Sequence, residues 1–142
     1  MKAVSEIAFL YNFNDPERLR KLKSALLCMK VRTKVVDREQ FQQPIGVLAG
    51  LVDIAFVEPE DDSDFTEEML VLYRFSSRRI DELLMRIKKA GVGNIPYKAA
   101  VTQTNLNWSG VQLYRELKKE HEAMAQGKMA HQAATEEAEK SE

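Results

Sequence analysis

The chain has 142 residues, 44% of them apolar, which suits one packed domain. Its 22 acidic and 21 basic side chains leave a net charge of −1, which argues against a nucleic-acid surface that tracks a phosphate backbone. The single cysteine, Cys28, rules out an internal disulfide and fits a reducing, cytoplasmic setting; no apolar run reaches the roughly 20 residues that a membrane helix needs.

Charge is unevenly spread. Residues 14 to 38 hold eight bases and three acids, and residues 58 to 68 hold seven acids and no base. Both blocks read as solvated surface.

The first stretch, "EIAFLYNF", is aromatic and aliphatic and stops at "NDP". It reads as the first strand of a mature chain rather than a signal peptide. Asn14 or Asp15 then caps a helix, with Pro16 in its first turn. That helix carries Leu19, Leu22, Leu26 and Met29 at helical spacing. Cys28 lies among these apolar residues and reads as core filler. "VRTKVV" alternates apolar and charged residues, as a half-exposed edge strand does. "QQPIGVLAGL" predicts a short helix from about Pro44, weakened by two glycines. The acidic segment 58–66 reads as a mobile loop.

The pattern then recurs. "MLVLYRF" is a strand, Ser76 or Ser77 caps a helix carrying Ile80, Leu83, Leu84 and Ile87, and Gly91 ends it. "YKAAVT" is a further strand. A long helix, capped by Thr104 or Asn105, carries an apolar stripe from Leu106 to Met124 with His121 on it. Residues 125–142 lack such a stripe and predict a disordered polar tail.

The two halves match each other. "LYNFND" lies over "LYRFSS" at an offset of 62, and Leu19, Leu22 and Leu26 fall on Ile80, Leu83 and Ile87 after a one-residue deletion. The expectation is one α/β domain over residues 1–124, with pseudo-repeats 4–52 and 68–124 joined through the acidic loop, and a four-stranded sheet. A doubly wound parallel sheet is slightly preferred, because the first and third strands are unbroken apolar runs that suit burial on both faces. A ferredoxin-like antiparallel sheet with added helices is the alternative.

The carboxyl ends of parallel strands share one rim, where open α/β sheets bind ligands. The polar residues expected there are Asn12, Asn14, Asp37, Arg38, Ser76, Ser77, Thr102, Thr104, Asn105 and Trp108. Of these, Asn12, Asn14, Ser76, Ser77, Thr102, Thr104, Asn105 and Trp108 form the candidate ligand site, with helix N-terminal N–H groups favouring an anion. Each residue has a plainer reading as a cap or as core. An antiparallel sheet would divide the set between two rims. Alternation puts Phe9, Tyr11 and Phe13 on one face of the first strand and Tyr73 and Phe75 on one face of the third; they suggest a base-stacking face only if that face is open, and core packing, with Trp108 among them, is the better reading.

Catalytic signatures are absent: the sequence has no P-loop, G-x-G-x-x-G, G-x-S-x-G or H-E-x-x-H motif. No catalytic residue, metal site or cofactor is assigned, and "EDDSD" lacks the spacing of a calcium loop.

Several motifs in the second half carry a resemblance. These are the KAGV turn at Lys89 to Val92, the strand Lys98 to Thr102, the helix start Thr102 to Asn105 with Trp108, and the helix end Glu116 to His121. Together they make the chain similar, over residues 68–124, to a small bacterial family of domains of unknown function. Gln103 stands where that family often has Pro, and Tyr97 where an aliphatic residue is usual. The resemblance implies a domain but brings no activity. The expected role is a non-enzymatic module that binds a small anionic ligand or a protein partner in regulation. The alternatives are an enzyme acting at the strand carboxyl rim and a self-assembling scaffold, a homo-oligomer through exposed apolar surface.

Overall fold

The computed structural model describes residues 6–51, 53–59, 61 and 64–140, with side chains at all of these except 103 and 126–140. The expected ends of the first repeat at 4 and 52, parts of the acidic loop (60, 62, 63) and the last two residues lie outside the described set.

β1 (Ile7–Tyr11), α1 (Pro16–Cys28) and β2 (Arg32–Val35) form a first unit, and β3 (Met69–Tyr73), α2 (Ser77–Ala90) and β4 (Tyr97–Val101) a second. The fold is α/β with a four-stranded sheet in the order β2-β1-β3-β4. Within each unit the strands pair parallel, as the sequence favoured; the central β1–β3 pairing is antiparallel. The unbroken apolar strands β1 and β3 are buried along their whole length. Helices α1 and α2 cover one face through Leu22, Leu26, Leu83 and Ile87. The other face is covered by Phe41, Ile45, Phe65 and the start of α3 (Gly110–Lys140), through Val111, Leu113 and Tyr114. The domain therefore has three layers. The alternating strand β2 is an edge, as its pattern implied.

Local chemistry sets the element ends. Asp15 caps α1 and accepts from the N–H groups of Glu17 and Arg18. Ser76 caps α2 and accepts from Arg79 N–H. Gly91 closes α2 at φ 77°. Neither Thr104 nor Asn105 caps α3. Ser109 does, accepting from Gln112 N–H at 3.1 Å, while Thr102 caps a single turn of tighter helix at Gln103–Asn105. The expected helix near Pro44 is one turn, Ile45–Leu48. Helix α3 runs to Lys140, past Met124 where a polar tail was expected. Its Ala, Glu, Gln and Lys residues are strong helix formers, so intrinsic propensity extends the backbone helix without an apolar stripe.

The two units correspond in detail. At an offset of 62, the pairs Ile7↔Tyr73 and Tyr11↔Met69 exchange with each other, and Phe9↔Val71 maps onto itself. Asn12 and Arg74 both adopt left-handed backbone, at φ 64° and 66°, and Lys30 and Gly91 do so at the helix ends. Arg18 of α1 grips Glu68 before β3 at 2.6 Å, and Arg79 of α2 grips Glu6 before β1 at 2.7 Å. Gly46 N–H donates to the Leu106 carbonyl, and Val111 N–H to that of Phe41, each pair being the other shifted by 65 residues.

Two expectations about side chains fail for identifiable reasons. The left-handed residue at each strand end breaks the two-residue alternation. Phe13 therefore packs with α1 and α2 instead of sharing the face of Phe9 and Tyr11, and Phe75 likewise leaves the face of Tyr73. Cys28 is exposed rather than core, because α1 turns Leu26 inward and the end of its last turn outward.

Candidate functional site

Because β1 and β3 run in opposite directions, the carboxyl ends of the two units lie on opposite rims. This divides the polar set. Asn12 and Asn14 sit on one rim; Ser76, Ser77, Thr102, Thr104 and Asn105 belong to the segments that follow β3 and β4 on the other.

The first rim is closed. The Asn12 side chain is buried and donates to the Phe65 carbonyl at 2.9 Å and the Glu67 carbonyl at 3.1 Å. It accepts from Arg38 at 3.0 Å, and Arg38 also pairs with Asp64. The acidic segment is thus anchored at Asp64 and Phe65. Phe65 inserts between Phe41 and Tyr114, stacking on Tyr114 at 4.4 Å. Gln43, buried, holds Val57 through both its N–H and its carbonyl. Asn14 is exposed and its N–H bonds back to the Asn12 carbonyl. Asp37 precedes a short turn and its side chain caps nothing.

The second rim is open. A hollow of about 290 Å³ is lined by Tyr73, Arg74, Phe75, Ser76, Thr102 and Leu106, with Val101 beneath. Ser76 and Thr102 are thus the two members of the polar set that share a cavity. The Ser76 oxygen accepts from Arg79 N–H, which leaves its own proton free to donate. Thr102 is more committed: its hydroxyl donates to Asn105 at 3.0 Å and accepts from Thr104 N–H at 3.2 Å. Trp108 packs against the core instead, its carbonyl accepting from Ile45 N–H.

Arg74, the one base in "LVLYRF", is absent from the expected polar set. It is exposed at the lip of the hollow and makes no ion pair or hydrogen bond among the described residues. The first turn of α2 has no acid, whereas that of α1 has Glu17 beside the Asp15 cap. The signal that could have found Arg74 was its offset partner Asn12, a residue type enriched in left-handed backbone.

Among the described residues, no group of three or more His, Cys, Asp or Glu side chains is placed to hold a metal, and no helix is long and apolar enough to cross a membrane. A second polar cluster lies near the closed rim. Glu67 accepts from the Tyr114 hydroxyl and meets that of Tyr97 at 3.5 Å, with the His121 ring 4.8 Å from Tyr97. Burial, then the Glu67 charge and hydrogen bond, push both tyrosine hydroxyls above their ordinary pKa.

Residues 68–124 match the family model of a domain of unknown function, DUF3783. The matched segment runs from Glu68 through β3, α2 and β4 to Met124 in α3, and so contains every residue that lines the open hollow. Comparison with curated proteins and with solved structures found no match.

Proposed function

We propose that the protein is a non-enzymatic binding module that takes a small anion at the open rim of its second unit. The observation that carries this reading is the unpaired Arg74 beside the hollow at the start of α2. A guanidinium there, with the free N–H groups of an acid-free first turn, suits a phosphate or carboxylate. The wall supplies hydroxyls and one arginine rather than an acid–base pair, which favours binding over catalysis. The correspondence of the two units supports an origin by internal duplication, with one rim sealed by its own side chains and the other left to a ligand.

A thermal-shift screen of the full chain with phosphorylated and carboxylated metabolites tests this, since a ligand of the native state raises its stability. Arg74→Gln should abolish the shift given by each true hit, and Thr102→Val should weaken it. If every hit survives both changes, the rim does not bind.

A further inference from the structure

The units differ most where helix returns to strand. Residues 29–31 join α1 to β2, three residues, whereas 91–96 join α2 to β4, six residues. The first unit shows that the shorter link is enough to close such a turn, so the fold itself does not require the longer one. The extra length walls a hollow of about 470 Å³, within the usual size range of small-ligand sites.

Leu84, Ile87 and Ile95 give it an apolar lining, which Lys88 and Lys98 share. Leu84 remains 38% exposed, a large aliphatic side chain left without cover. No carboxylate lines the hollow, and neither lysine makes an ion pair among the described residues. Lys98 donates instead to the Ile95 carbonyl at 2.5 Å, and partial burial lowers its pKa. A third cation is close: Lys21 Nζ would lie 3.8 Å from a Cβ on Gly91.

The hollow is held in shape from behind. Arg18, fixed by Glu68, donates to the carbonyls of Val92 and Asn94, and Gly91 and Gly93 carry the left-handed turns that the loop needs. The Gly91 and Val92 N–H groups bond to carbonyls at the end of α2, which covers part of the helix's negative end.

From this arrangement we infer a second binding site, for a small organic acid with an apolar tail. The tail lies on Leu84, Ile87 and Ile95, and the carboxylate takes Lys88 and Lys98 as counter-ions. Charge complementarity selects this occupant: an uncharged apolar compound would leave both lysines without a counter-ion, and an apolar amine would add a further positive charge.

The test is a titration of the isotope-labelled full chain with octanoate, octanol and octylamine, followed by amide chemical shifts. Octanoate should move resonances of residues 84–98 and leave those of Arg74 and Ser76 in place. Octanol should bind at least about tenfold more weakly, and octylamine not measurably. Lys98→Met and Lys88→Met should each weaken octanoate by about tenfold while sparing octanol. Leu84→Asp should abolish both. The amide spectrum of each variant reports its fold directly. Equal binding of octanoate and octanol, shifts centred outside 84–98, no octanoate binding, or lysine variants that bind octanoate like the parent would each overturn the inference. The rim at Arg74 is independent of this outcome.

Discussion

Asn12 and Arg74 occupy matching strand ends with nearly the same left-handed backbone, yet Asn12 makes three side-chain hydrogen bonds under a covering segment while Arg74 stands exposed with none among the described residues. The same contrast holds for their neighbours. Asp15 brings its own negative charge to the start of α1; Ser76 leaves α2 without one. Tyr11 is sealed beneath Gly110, where an added Cβ would stand 2.9 Å from its hydroxyl, whereas its counterpart Tyr73 lines the hollow. One backbone plan thus serves stability at one rim and leaves the other unfinished.

The largest test of that contrast is a glycine exchange at the two strand ends. Asn12→Gly keeps the backbone angle but strands two carbonyls and Arg38, and should cost about 2 kcal/mol in denaturant unfolding. Arg74→Gly loses no partner and relieves an unfavourable left-handed residue, so stability should stay level or rise by about 1 kcal/mol. Equal losses at both sites would break the comparison.

The caps sharpen it. Asp15→Ala and Ser76→Ala should each cost about 1 kcal/mol without ligand. Only Ser76→Ala should also change the thermal shift caused by an anion, because Ser76, unlike Asp15, lines the open hollow.

A smaller effect separates the tyrosines. The Tyr11 hydroxyl is buried without a hydrogen-bond partner among the described residues, and burial raises its pKa. Tyr11→Phe should therefore gain roughly 0.5–1 kcal/mol at neutral pH. The sign with pH follows from the raised value. The folded state keeps the proton after the unfolded chain has released it, so stability is full below pH about 10 and falls as pH rises further. Tyr11→Phe should make that alkaline fall shallower, and equilibrium unfolding at a series of alkaline pH values checks it.

Most of the architecture was legible because it is written locally. The "NDP" and "FSS" starts, Gly91 and the unbroken runs of β1 and β3 each encode their own geometry within a few residues. The relative direction of β1 and β3 was not, since parallel and antiparallel neighbours share the same apolar pattern, and that direction decides which polar residues meet. Phe13 was misplaced because one left-handed residue at Asn12 reverses every face after it. The braces Arg18–Glu68 and Arg79–Glu6 join residues 50 and 73 positions apart, beyond any local pattern. Their residues recur at matching positions in the two halves, Arg18 with Arg79 and Glu6 with Glu68. Of the polar residues that line the open hollow, Ser76 and Thr102 were among those expected at a strand rim and Arg74 was not, because a lone base at a strand end has no periodicity to mark it.

The seam between β1 and β3 has a consequence for any shorter relative of this chain. Phe9 faces Val71 at the midpoint of the register, so each half offers the other what it receives. A polypeptide holding only residues 68–124 would leave the inner margin of β3 bare to water, and a second copy, turned end for end, would present the same margin in return. Such a fragment should sediment as a pair, with two molecules doing what one does here.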